Sequence, residues 1–349
     1  MVDVSPHVLV IATEHAEERF ALTADATAWR GRRTEPAAIK LGDHAIVRRH
    51  TSGRDVVDRI WANIGRVTGI IVQRHGDTVY VDGGDGRAPH VLVIPSQAAG
   101  RIQVRFPRLQ PGYLIDIIGL RHDGYLEALV PAGPQPAYRA DHVPGPALIS
   151  GHLPAAIRGS AVWHEPGRER ADLAGLAYPA VDEQAGPVMQ PYPAVPAFPA
   201  LPPGHRPGQW SGPRSGQRSG PWPGQPPSAP HVPAHHAPGL PPYPVARQHP
   251  VGWPPDDLPT LDLQAGTGCV SLPYLSVGSR LRVHNDCTGD ARVLPVTGAS
   301  PTARLFCDRS TACGPSPRGR VADLTMASFV ELGGELDQGN FNATIEIED

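Results

Sequence analysis

Residues Val181 to Thr260 hold 23 of the chain's 42 prolines, in text such as PYPAVPAFPALPPGHRPGQW and SGPRSGQRSGPWPGQPPSAP. Proline lacks an amide donor and fixes its own φ, and so Pro-dense a stretch cannot bury enough apolar surface to offset its ordering entropy. The segment therefore reads as a disordered, partly polyproline II linker. It divides the 349 residues into two regions that must build their own cores. A second reading makes the same text a ligand for aromatic-lined proline-binding grooves, or a weak polyanion contact through its Arg-Ser-Gly stretches. His235-His236, with His231 close by, lies in this segment and is read as a solvated group; no metal and no cofactor is expected.

The longest apolar runs, such as Val8 to Ala12, fall far short of the 18 or more residues that a spanning helix needs, so no membrane span is expected. Asp3 and the lack of a basic stretch before the first apolar run argue against a secretory signal peptide. A place in the cell envelope or outside the cell would need another route; the cytoplasm is the alternative. Net charge is −3, with 20 basic and 19 acidic groups in residues 1–180, 4 and 4 in 181–260, and 7 and 11 in 261–349. None of these parts has the basic excess that phosphate backbones demand, which makes nucleic acid an unlikely partner.

Residues 40–145 alternate like a β-rich domain. Strands are expected at Ala45 to Arg48, Val67 to Gln73, Thr78 to Asp82, His90 to Ile94, Ile102 to Phe106, Tyr113 to Ile118 and Tyr125 to Val130. Turn signals separate them, including Gly83 to Gly86, read as a hairpin turn, and His122-Asp-Gly124. Short strands at this spacing suggest a small barrel, OB-like or SH3-like, within an all-β protein. Arg101, Arg105 and Arg108 around Phe106 then read as a solvated strand face. Residues 1–39 form an N-terminal extension, with an extra strand at HVLVIA and a short helix at Glu14 to Leu22. Residues 146–180 read as a connection without a clear element.

Residues 261–349 form a second β-rich unit. Strands are expected at Arg280 to His284, Ala291 to Val296 and Ala343 to Ile347, with a helix from Met326 to Leu332 started by Asp323-Leu-Thr325 and stopped by Gly333-Gly334. All four cysteines, Cys269, Cys287, Cys307 and Cys313, fall here, with 17, 19 and 5 residues between them. That spacing lacks the paired Cys-x-x-Cys of common zinc sites, so disulfides read best, in any of three pairings; reduced thiols and a metal are the alternatives. Asn342-Ala-Thr344 fits the glycosylation acceptor pattern.

The run SLPYLSVGSRLRVHNDCTGDARVLPVTGASP, followed by RGRVADLTMASFVELGGELDQGNFNATIEI, resembles the six-stranded double-psi β-barrel of expansins, rare lipoprotein A and kiwellins. Leu272-Pro with Val277 to Val283 is similar to the family's entry strand, Arg292 to Thr297 to its partner strand, and Arg320 to Thr325 to its strand-to-helix junction. The resemblance implies a barrel that binds wall polysaccharide and, in some members, cleaves it. Cleavage needs a carboxylic acid to protonate the glycosidic oxygen. The family places that acid after the second strand, where this chain reads Val296-Thr297-Gly298. The family's early Trp-Tyr-Gly strand has no counterpart in residues 256–270. Asp323 and Asp308 are the carboxylates to test as substitute acids, and Tyr274, Thr297, Arg320 and Asp323 are the candidate ligand contacts. The kiwellin likeness adds weight to disulfides.

The leading expectation is a non-catalytic modular binding or structural protein. Its C-terminal barrel contacts cell-wall polysaccharide or a protein partner, and the Pro-rich spacer sets its reach from the N-terminal barrel. The alternatives are a wall-lytic or wall-loosening enzyme with a relocated acid, and a self-assembling structural subunit.

Overall fold

A computed structural model describes residues 3–165, 176–178 and 269–348, apart from 6, 14–15, 52, 54, 85, 134–137, 143–148, 150–153, 274, 276, 301–304 and 308. The first module is a sheet. It contains β1 (Asp3–Val4), β2 (Val8–Ala12), β3 (Glu17–Trp29), β4 (Arg33–Thr34), β5 (Ala45–Arg49) and β6 (Val56–Ala62), in the order β1-β2-β3-β6-β5 with β4 against β3. The helix expected at Glu14 to Leu22 is instead the start of β3, which runs antiparallel to β2 with Val8 opposite Ala21. Phe20 and Leu22 are buried between exposed neighbours, the two-residue period of a half-buried strand. They close on Leu9, Ile39, Val57 and Ile60. Of the expected extension, the described strands between residues 3 and 34 are thus part of a folded sheet.

Asn63 turns the chain out of this sheet with φ of 51°, a left-handed conformation that asparagine tolerates. Its side chain is fixed on both sides: Oδ1 accepts from the His44 amide at 2.8 Å, and Nδ2 donates to Asp43 at 2.7 Å.

The second module is a closed five-stranded barrel of β7 (Ile64–His75), β8 (Thr78–Asp82), β9 (His90–Val93), β10 (Leu114–His122) and β11 (Tyr125–Pro131), in the order β10-β11-β9-β8-β7. Helix α1 (Ser96–Arg105) lies between its third and fourth strands, and its third and fifth strands pair in parallel. The barrel strands span 64–131, inside the 40–145 expected for a small β-barrel. β8 and β9 pair antiparallel, so the chain reverses between Asp82 and His90; the expected turn at Gly83 to Gly86 includes a residue outside those described. Ile102 to Arg105 is helical, not extended, and Phe106 is the C-cap. Ala98, Ile102 and Phe106 fall four apart on one helical face and are buried in the barrel core, while Val104, which alternation would also have buried, is 86% exposed.

The third module is a closed six-stranded barrel of β12 (Ile157–His164), β13 (Leu176–Tyr178), β14 (Arg280–Asn285), β15 (Ala291–Ala299), β16 (Arg320–Thr325) and β17 (Asn340–Ile347), in the order β12-β16-β13-β15-β14-β17. It is not contained in 261–349. Two of its strands come from 157–178, where only a connection was expected. The physical reason is burial: six of the eight residues of β12, all but Arg158 and His164, are buried, and the run from Gly159 to Trp163 is buried throughout. A strand covered on both faces loses its period-two pattern.

Residues 181–260 lie outside the described residues. The strands that flank them, β13 and β14, belong to the same barrel, so this segment leaves and re-enters one barrel and is not a spacer between two. Helix α2 (Met326–Glu331) follows β16; its N-cap is Thr325, whose hydroxyl accepts from the Ser328 amide, and Asp323 is not part of the cap. Disulfides join Cys269 to Cys307 and Cys287 to Cys313, with Cα separations of 5.4 and 5.3 Å. Asn342 is buried within β17, which removes it as a glycan acceptor. Among the described residues no helix is long and apolar enough to cross a membrane.

The modules share one core. Trp29 and Trp61 of the sheet and Ile64, Ile118 and Ala132 at the five-stranded barrel pack with Trp163, Phe329 and Phe341 of the six-stranded barrel.

Candidate functional site

The parallel pairing of β12 with β16 brings their C-terminal ends to one rim of the six-stranded barrel, with Val162 opposite Asp323 and His164 opposite Thr325. Across the next two strands Asp323 pairs with Ala177, and Ala177 with Gly298. Gly298 therefore stands in the same row as Asp323, two strands away. A Cβ added at Gly298 would meet no atom within 4 Å, so the rim is open there.

Asp323 is the charged centre of this rim. His164 Nδ1 donates to one carboxylate oxygen at 2.9 Å, and the buried Ser300 hydroxyl donates to the other. Burial pushes the Asp323 carboxyl up, but His164 and the Ser300 hydrogen bond outweigh it and hold it below the usual carboxylate range. Asp323 is ionised and has no proton to give at neutral pH. For His164, burial pushes the imidazole down and the Asp323 carboxylate more than offsets it, so its pKa lies above the ordinary histidine value. The ionised partner fixes the proton on Nδ1, which leaves Nε2 of a half-buried ring to meet a ligand.

The neighbouring barrel holds this rim in place. The Arg66 guanidinium, fully buried, donates to the Trp163 carbonyl at 2.9 Å and the Gly339 carbonyl at 2.7 Å, and its Nε and Nη2 bind Asp116 at 2.8 and 2.7 Å. The Arg66 amide donates to Glu165 Oε1 at 2.8 Å, and Arg121 pairs with Glu165 Oε2 at 2.6 Å. One arginine thus fixes the backbone before His164 and, through its amide, the side chain after it. Burial raises the Glu165 pKa, and Arg121 and the Arg66 amide only partly counter it.

Of the expected site residues, Asp323 lies at the rim and Thr297 is half-buried on β15 beside Gly298. Tyr274 and Asp308 lie outside the described residues. Arg320 is not a ligand contact: it is buried, its Nη2 sits 2.5 Å from Asp116, and its guanidinium lies 3.8 Å over the Phe306 ring. Sequence reasoning missed His164, Glu165 and Ser300. The available signal was Trp163-His-Glu165 at the end of a hydrophobic run, in a segment read as a connection. Among the described residues no group of three or more His, Cys, Asp or Glu could hold a metal ion.

No protein-family model, curated protein or solved structure matches this chain.

Proposed function

We propose that the chain is a non-catalytic binding or structural protein whose six-stranded barrel, expansin-like in its double-psi character, contacts cell-wall polysaccharide or a protein partner. The contact is made at the rim formed by His164, Thr297, Gly298 and Asp323. The observation that carries this reading is the state of Asp323. Hydrogen-bonded on both oxygens, it is ionised where glycoside cleavage would need a carboxylic acid. The space beside Gly298 admits a ligand without offering it a proton.

Full-length protein incubated with insoluble peptidoglycan, chitin and cellulose tests this. Retention on at least one of them, weakened severalfold by His164→Gln and without release of soluble sugar, is the expected result. Release of soluble fragments, or retention on none of the three together with no protein partner captured through the same rim, overturns it.

One observation favours the enzymatic alternative: Glu165, next to His164, has a raised pKa, as a general acid requires. Its two oxygens, however, are engaged by the Arg66 amide and Arg121. Under that alternative Glu165→Gln abolishes sugar release while binding persists.

A further inference from the structure

We propose that the Cys287–Cys313 disulfide is a thiol-exchange site: an external thiol of the glutathione class opens it and frees the tip of the loop from Arg309 to Arg318, while Cys269–Cys307 stays closed. Cys287 and Cys313 are both exposed, whereas Cys307 is 7% exposed and Cys269 is half-buried. Exchange needs a thiolate to reach one of the two sulfurs, so access alone separates the two bridges.

The two ends of the exposed bridge are held unequally. Cys287 lies in the turn between β14 and β15, and its amide donates to Asn285 Oδ1 at 2.9 Å. Buried Asn285 is fixed in turn by its Nδ2, which donates to the Leu332 carbonyl at 2.7 Å. Cys313 sits on a loop closed at its neck by two serines. The Ser310 amide donates to Ser316 Oγ at 2.8 Å, and the Ser316 amide donates to the Ser310 carbonyl at 3.0 Å. This neck does not depend on the bridge, so opening moves the tip and leaves the barrel strands paired. Where the tip meets β17, Asn342 Nδ2 donates to the Gly314 carbonyl at 2.8 Å, but Asn342 Oδ1 is buried and has no partner among the described residues. A buried acceptor without a donor favours any state that hydrates it. The closed loop therefore carries a cost that the bridge offsets, and breaking the bridge tips the loop toward solvent.

The external thiolate bonds to one sulfur of the bridge, the S–S bond breaks, and its electron pair stays on the other sulfur, which takes up a proton. A second external thiolate attacks the mixed disulfide, releases the remaining cysteine to be protonated in turn, and leaves with the first as the reagent's own disulfide. The two external thiols lose two electrons and the cystine gains them. The inference is independent of the polysaccharide reading of the barrel rim.

Incubation of the full chain with reduced glutathione under native conditions, followed by acid quenching, thiol alkylation and peptide mapping, tests it. Labelling of Cys287 and Cys313 is expected to be at least about tenfold faster than that of Cys269 and Cys307. Hydrogen exchange is expected to rise in the peptide from Arg309 to Arg318 and to stay unchanged in β17. The variant Cys287→Ser/Cys313→Ser is expected to show the same exchange pattern without added thiol; should it fail to fold, the labelling and exchange of the natural chain decide the matter. Equal or faster labelling of Cys269 and Cys307, or hydrogen exchange that leaves the loop unchanged or rises in β17 as well, overturns the proposal.

Discussion

Asp116 of the five-stranded barrel and Arg320 of the six-stranded barrel are 204 residues apart in sequence and 2.5 Å apart in space. Asp116 also takes both free arms of Arg66 and the Thr68 hydroxyl, so a single buried carboxylate answers two buried guanidinium groups. Burial alone would raise its pKa; Arg66 and Arg320 more than reverse that and hold it well below the carboxylate range.

Removing Asp116 takes the carboxylate away from two buried guanidinium groups. Asp116→Ala is expected to destabilise the protein by about 3–5 kcal/mol, read from the urea midpoint. A loss under about 1 kcal/mol would show that water reaches the cluster.

The His164–Asp323 pair has a defined pH window. The raised His164 pKa contributes stability that is complete below about pH 6.5 and fades as pH rises through the folded-state value. The lowered Asp323 pKa contributes stability that is complete above about pH 4 and is lost as pH falls through its folded-state value. The stability difference between the natural chain and His164→Gln is therefore expected to be greatest between about pH 4 and 6.5 and to shrink on either side. A difference that stays flat from pH 4 to pH 9 contradicts the pairing.

Gly298→Asp is expected to fold, changing stability by no more than about 0.5 kcal/mol, because nothing crowds that Cβ. Gly119→Ala should behave oppositely, since its Cβ would run into the Glu127 carbonyl at an irregular step of the β10–β11 ladder. Thermal melting of the two variants side by side checks the contrast.

The two disulfides close loops with sequence separations of 38 and 26 residues. Reducing either is expected to cost on the order of 3 kcal/mol by loop entropy. Peptide mapping without reductant should recover Cys269 linked to Cys307 and Cys287 linked to Cys313; any other pairing refutes this connectivity.

A fragment of residues 256–349 lacks β12 and β13 and is expected to show no cooperative melting by circular dichroism, whereas the full chain does. A cooperative transition in the fragment would mean that four strands close on their own.

What the sequence revealed follows from burial. β8 at Thr78–Asp82 and β14 at Arg280–Asn285 alternate buried positions with half-buried or exposed ones, and that alternation marks them within a residue or so of their ends. Ile102 to Phe106 alternates too, yet its Ala98 and Phe106 partners sit at helical spacing, and only the barrel core decides between the two periods. β12 carries no period at all because it is covered on both sides. The Asp323 pairing was invisible for a different reason: its partner lies 159 residues upstream, and spacing along a chain says nothing about such neighbours. Arg320 misled because a cation just before the strand-to-helix junction looks like a ligand contact until its acidic partner on another barrel is known.

The place of β12 in the ladder also sets an order of events during synthesis. Both of its neighbours, β16 and β17, are translated after the Pro-rich region, and Asp323 leaves the ribosome 159 residues after His164. At about 5–20 residues per second, β12 waits on the order of 8–30 seconds with both edges bare. A nascent chain in that interval is a natural client for chaperones that cover unpaired strands.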